Sequence, residues 1–125
     1  MPGFHDVIIH GSPMDFGPQP TSWKNGTNFD HRTLANLLEH DPSYPGGPIR
    51  LLSCSTGKLP DGAAQNLANK LGVTVVAPTD TLWAYPSGRL TVGPTALRSG
   101  GSTDLWNVFE PGNSSMSLTQ WLAKP

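Results

Sequence analysis

The chain has 125 residues, enough for one domain with a buried core over residues 1–125, and a formal charge of −1. Its eight lysines and arginines are scattered singly. Nucleic-acid binding normally needs a basic stripe, so we expect no nucleic-acid partner. No apolar stretch approaches the ~18 residues of a membrane span, and we expect no membrane association. The single cysteine excludes an internal disulfide and every metal site built from several cysteines.

The first half of the chain begins with a short apolar run over residues 6–10 that ends at His10 and is stopped by Gly11-Ser-Pro. This pattern predicts a strand buried on both faces, as in a parallel sheet. Residues 14–29 are rich in glycine, proline, asparagine and serine and predict a long loop, with Phe16, Trp23 and Phe29 as anchors. A helix is predicted over residues 32–40, capped by Asp30 or Thr33.

The middle of the chain predicts a second strand over residues 49–53, which ends on Cys54 and a small polar turn. Asp61 is expected to cap the next helix, which Gly72 terminates. Residues 73–76 form the strongest β-branched run and predict a third strand. Strand and helix therefore alternate in two βαβ units, which predicts three parallel strands in one sheet with helices covering it.

The C-terminal part has a different pattern. Residues 81–84 and 89–92 alternate apolar and polar side chains around Tyr85-Pro-Ser-Gly, which predicts a β-hairpin. A further strand is expected over 104–109, and Ser115 is expected to cap a final helix. The fold class is therefore predicted to be α/β, a small and mostly parallel sheet flanked by helices, with a C-terminal β-hairpin.

His10 and Cys54 are the residues with the clearest chemical potential, because each ends an apolar strand one βαβ unit apart. Ligands bind at the carboxyl ends of strands in open parallel sheets, so neighbouring strands would bring the two side chains to one edge. An imidazole beside a thiol raises the thiolate fraction and can protonate a leaving group. Either residue alone is more typical of packing; the pair predicts a catalytic dyad with Cys54 as nucleophile and His10 as base.

Four further residues are weaker candidates for the same site. The backbone N–H groups of Gly11 and Ser55 are candidates for an oxyanion hole. Asp80 follows the third predicted strand and could bind a cationic substrate group, although an aspartate that merely forms a turn is the more common case. Trp83 could line a substrate pocket, or it could pack the hairpin against the sheet. The histidines lack metal-ligand spacing, and the predicted chemistry requires neither a metal nor another cofactor.

A family resemblance joins these motifs. His10-Gly after an apolar strand, followed by a helix and a strand ending in Ser-Cys54, resembles the caspase/gingipain-like cysteine peptidases, whose dyad is a His-Gly histidine and a strand-end cysteine. The strings Leu52-Ser-Cys-Ser-Thr-Gly, Gln65-Asn-Leu-Ala and Ala77-Pro-Thr-Asp resemble a bacterial branch of that superfamily. The segment from Trp106 to Gly112 is similar to C-terminal modules of bacterial polymorphic toxins.

The resemblance implies a toxin or effector module that is secreted or delivered within a larger bacterial protein and acts in the cytoplasm of a target cell. It also implies a protein or peptide substrate and a cognate immunity protein that blocks the Cys54 edge. The predicted activity is thiol-dependent hydrolysis of an acyl bond, such as a peptide or amide bond. Two alternatives stay open, a non-catalytic binding domain on the same scaffold and a toxin with transferase chemistry.

Overall fold

The computed structural model describes residues 3–17 and 30–124, so the predicted loop anchors Trp23 and Phe29 lie outside the described residues. A short 3-10 helix spans Thr103–Leu105. The other elements are β1 (His5–Ile8), β2 (His10–Gly11), β3 (Phe16–Gly17), α1 (His31–Glu39), β4 (Ile49–Leu52), α2 (Ala63–Leu71), β5 (Val75–Pro78), β6 (Leu82–Ala84), β7 (Leu90–Val92), β8 (Trp106–Glu110), β9 (Ser114–Ser117) and α3 (Leu118–Leu122).

The central sheet has five strands in the order β1-β4-β5-β8-β9. The pairings of β1 with β4 and of β4 with β5 are parallel, as the two βαβ units predict. The pairings of β5 with β8 and of β8 with β9 are antiparallel. The protein is therefore α/β as expected, but its sheet is mixed rather than mostly parallel, because the C-terminal strands β8 and β9 extend it in the antiparallel sense.

Helices α1 and α2 both cover one face of this sheet, which is where right-handed crossovers between β1, β4 and β5 place them. The N-cap Asp30 accepts hydrogen bonds from the Arg32 and Thr33 backbone N–H groups, as predicted. The N-cap of α2 is Gly62 rather than Asp61, and it makes no side-chain cap bond. The core on this face is formed by apolar side chains of both helices and of the sheet, among them Leu34, Leu38, Ile49, Leu51, Leu67, Val75 and Phe109.

The opposite face is covered by the β6–β7 hairpin and by α3. The predicted hairpin forms as a separate two-stranded sheet with Leu82 paired to Val92. The final helix begins after Ser117, whose capping box with Gln120 takes the place of the predicted cap at Ser115. The core on this face is formed by Val76, Val92, Trp106, Val108 and Leu118. Among the described elements, no helix is long and apolar enough to cross a membrane.

Strand β1 is an edge strand of the sheet, not a strand buried on both faces as its apolar run predicts. Its residues alternate between half-buried and exposed, and Ile8 at its end is 81% exposed. Asp6 pairs in register with Arg50, whose guanidinium donates to both carboxylate oxygens at 2.7 Å. These hydrogen bonds lower the pKa of Asp6 below its usual value of 3.8. The ion pair therefore holds β1 against β4 two residues before these strands end at Ile8 and Leu52.

Candidate active site

A pocket of about 410 Å³ opens where β1 and β4 end. Ile8 and Leu52 are register partners and the last residues of these parallel strands, and His10 and Cys54 each follow two positions later. The structure thus brings the two predicted dyad residues to one pocket. Its lining consists of Ile8, Ile9, His10, Leu52, Cys54, Leu82 and Ala84.

Cys54 is the first residue of the turn that leaves β4, and it is half-buried. Its Sγ accepts a hydrogen bond from the backbone N–H of Leu82 at 3.4 Å. This N–H belongs to the first residue of β6, so the hairpin contacts the sulfur directly. This contact fixes the position of the sulfur at the pocket, between the turn after β4 and the start of β6.

The turn that carries Cys54 is fixed against β5. The Gly57 N–H donates to the Pro78 carbonyl oxygen at 2.8 Å, and the Asn107 side-chain amide donates to the Gly57 carbonyl oxygen at 3.0 Å. A Cβ on Gly57 would lie 2.5 Å from the carbonyl oxygen of Ala77. Only glycine permits this approach of two backbones, so Gly57 determines where the Cys54 turn lies.

His10 lies in β2 and not at the tip of β1. Strand β2 forms a small antiparallel pair with β3, in which His10 faces Gly17 and Gly11 faces Phe16. Phe16 is fully buried in the same core as α1 and α2, so it anchors this hairpin to the body of the protein. His10 itself is exposed at the surface of the pocket. Its position therefore depends on the hairpin, which the apolar run alone did not indicate.

Gly11 packs against the turn that follows β4. A Cβ at this position would overlap the Ser53 hydroxyl and the Thr56 methyl group. Ser12 N–H donates to the Asp15 carbonyl oxygen at 2.9 Å, so the neighbouring Gly11–Phe16 pair is the non-hydrogen-bonded kind and the Gly11 N–H points away from β3. Gly11 does not itself line the pocket, and its role as an oxyanion donor stays a prediction. The buried Ser53 hydroxyl has no hydrogen-bond partner in the described part of the chain.

The structure does not support the predicted oxyanion role of Ser55. Its backbone N–H donates to the Asp80 carbonyl oxygen at 2.9 Å, and its φ of 59° places it in the left-handed region. The N–H is therefore engaged within the protein and directed at the loop between β5 and β6. Of the two backbone N–H groups predicted to form an oxyanion hole, that of Gly11 alone remains a candidate.

Neither Asp80 nor Trp83 lines the pocket, and their predicted substrate contacts stay predictions. The Asp80 carboxylate accepts the backbone N–H of Thr81 at 2.7 Å, which is the turn-forming alternative. The Trp83 indole N–H donates to the Gly93 carbonyl oxygen at 3.0 Å. Side chains alternate along β6, so Leu82 and Ala84 face the pocket and Trp83 faces away.

Sequence reasoning missed the five apolar lining residues. Their signal was present in the period of two along a strand: Ile8 precedes His10 by two residues, and Leu52 precedes Cys54 by two. The same period groups Leu82 with Ala84. Which hairpin covers this edge depends on long-range packing, and local pattern does not encode that.

Comparison with known proteins identifies one family and no named relative. The family model of the Domain of unknown function DUF8616 matches residues 1–92. No curated protein and no solved structure matches the chain. The matched range contains every residue of the pocket, including His10 and Cys54. Because it covers well over half of the sequence, the chain belongs to the DUF8616 family.

Proposed function

We propose that this protein is a thiol-dependent acyl hydrolase in which Cys54 is the nucleophile and His10 the general base. The observation that carries the proposal is the pocket that His10 and Cys54 share, each two residues past the end of one of the neighbouring parallel strands β1 and β4. The hydrogen bond from the Leu82 N–H to Cys54 Sγ adds support, because it holds the sulfur at this pocket.

The proposed reaction has two halves. In the first, the Cys54 thiol gives its proton to the His10 ring and the sulfur bonds to the substrate carbonyl carbon. The Gly11 N–H stabilises the negative oxygen, and the imidazolium returns the proton to the departing amine or thiol as the carbonyl bond to it breaks. In the second half, His10 takes a proton from water, the hydroxide displaces Cys54 from the acyl thioester, and a carboxylic acid leaves.

The wider biological setting follows from the resemblance. The order of His10-Gly11 after β1 and Cys54 after β4 supports a caspase/gingipain-like hydrolase domain, with a peptide or amide bond as its target. In this proposal the domain is a toxin or effector module delivered within a larger bacterial protein to the cytoplasm of a target cell. A cognate immunity protein would protect the producing cell by covering the pocket.

The rate of Cys54 alkylation by iodoacetamide tests the dyad without a known substrate. Cys54 is the only cysteine of the sequence, so the mass gained by the intact protein reports this thiol alone. An unassisted thiol is only a few per cent ionised near neutral pH. We expect the wild type to react about tenfold faster than His10→Ala.

The matched control is His40→Ala, which removes an exposed histidine whose ring contacts the Asn36 carbonyl oxygen on α1. This variant should react at the wild-type rate. N-acetylcysteine gives the rate of a thiol without assistance. Equal rates for wild type and His10→Ala, both matching N-acetylcysteine, would refute the dyad and leave the binding-domain alternative.

A further inference from the structure

The pocket beside the dyad is lined by apolar side chains. Apart from His10 and Cys54, its lining consists of Ile8, Ile9, Leu52, Leu82 and Ala84. Leu52 and Leu82 also pack against the core between the sheet and α3, so buried neighbours fix the positions of these two pocket side chains. The pocket volume of about 410 Å³ lies within the range of ~300–1,000 Å³ that is usual for ligand sites.

No aspartate, glutamate, lysine or arginine among the described residues lines this pocket. Asp6 and Arg50 lie two residues before Ile8 and Leu52, and they neutralise each other through two hydrogen bonds of 2.7 Å. The Asp80 carboxylate accepts the Thr81 N–H and does not line the pocket. A charged substrate group that entered would lose its hydration without gaining a partner, which is strongly unfavourable.

We infer that the acyl side of the substrate carries an uncharged, apolar group that fills this pocket while its carbonyl carbon meets Cys54. The inference rests on the proposed hydrolase function and narrows its substrate class. It replaces the expectation of a cationic group bound by Asp80. The shared chemistry is an apolar group next to the carbonyl, which a peptide residue such as leucine or a fatty acyl chain would provide.

A panel of acyloxymethyl ketones tests the inference. The members differ only in the group beside the carbonyl: leucyl, phenylalanyl, aspartyl, lysyl or octanoyl. In the labelling step, Cys54 sulfur bonds to the ketone methylene carbon, the carboxylate departs with its electron pair, and His10 takes the thiol proton. Intact mass of the single-cysteine protein gives each rate.

We expect the leucyl and phenylalanyl probes to label at least about tenfold faster than the aspartyl and lysyl probes. A faster octanoyl probe would identify a fatty acyl group as the source of the apolar chemistry, and a faster leucyl probe a peptide residue. Aspartyl or lysyl probes that label as fast as leucyl would overturn the inference.

Two variants locate the preference in this pocket. Ala84→Phe fills the pocket from its exposed end and should lower the ratio of the leucyl labelling rate to the iodoacetamide alkylation rate about tenfold. Ile8→Asp adds a charge at an 81% exposed position and should raise lysyl labelling relative to leucyl labelling. Ala96→Phe, at an exposed position outside the pocket, is the matched control and should change neither.

The panel separates this inference from the proposed function. If iodoacetamide alkylation depends on His10 but the probes show no preference, or Ala84→Phe leaves the ratio of leucyl labelling to alkylation unchanged, the apolar inference fails and the hydrolase proposal stands. If alkylation does not depend on His10, the hydrolase proposal fails whatever the probes show.

Discussion

Replacing Cys54 by alanine is expected to abolish hydrolysis of an acyl thioester while the fold remains intact. The proposed reaction forms its only covalent intermediate on Cys54 Sγ, and no second cysteine exists to substitute for it. Loss of a catalytic nucleophile costs at least about a hundredfold in rate, and the remainder approaches uncatalysed hydrolysis. The measurement is the release of free thiol from the thioester of N-acetyl-leucine with N-acetylcysteamine, after subtraction of the rate without protein.

The control for this experiment is a second variant, Cys54→Ser, which shows whether the fold is kept when activity is lost. Cys54 is half-buried and its sulfur accepts one backbone hydrogen bond, so Cys54→Ser keeps the side-chain shape and an acceptor atom and should unfold close to the wild-type temperature. It should nevertheless be inactive, because a hydroxyl is far less readily ionised than a thiol. Hydrolysis by Cys54→Ala at the wild-type rate would remove Cys54 from the chemistry. If the chain inhibits growth of bacteria that express it, both variants should relieve that inhibition.

Replacing Gly57 by alanine is expected to displace the turn that carries Cys54. The added Cβ would lie 2.5 Å from the carbonyl oxygen and 2.9 Å from the carbonyl carbon of Ala77, which are backbone atoms of a buried strand. Relief requires the turn to move away from β5, which also weakens the Gly57 bonds to Pro78 and Asn107. Overpacking of this kind costs about 1–3 kcal/mol of unfolding free energy.

The displaced turn carries Cys54, so Gly57→Ala should also lower the alkylation rate to that of an unassisted thiol. Gly101→Ala is the matched control, because Gly101 is exposed and a Cβ there would meet nothing within 4 Å. That variant should stay within about 0.5 kcal/mol of the wild type. Urea unfolding and alkylation of the three proteins test both effects. A Gly57→Ala protein with wild-type stability and reactivity would show that the turn does not depend on this close approach.

Much of the fold follows from local pattern. The capped helix α1, the buried strand β4 and the β6–β7 hairpin were predictable, because helical spacing, an apolar run and alternation around a turn are each encoded within a few residues. Strand β9 was not, because Ser114–Ser117 is polar and resembles the start of a helix. The edge position of β1 depends on which strands pair, and that is decided by the whole chain.

The candidate site divides in the same way. His10 and Cys54 reach one pocket because the neighbouring parallel strands that precede them end at the same edge of the sheet. The alternation of strand and helix in the sequence predicts such parallel neighbours, so this part of the site was predictable. Asp80 and Trp83 lie outside the pocket lining for a local physical reason. One is satisfied by the adjacent Thr81 N–H, and the other lies on the face of β6 that turns away from the pocket.

The time course of acyl attachment to Cys54 distinguishes a working His10–Cys54 dyad from an unassisted thiol. The protein is mixed with the N-acetyl-leucine thioester, and its intact mass is followed in the wild type and in His10→Ala. Thiolate attack forms the acyl enzyme, and release requires a base that activates water. We expect a transient acyl adduct in the wild type that decays to free thiol with turnover, and slow formation of a persistent adduct in His10→Ala. An adduct that forms and persists equally in both proteins would contradict the dyad.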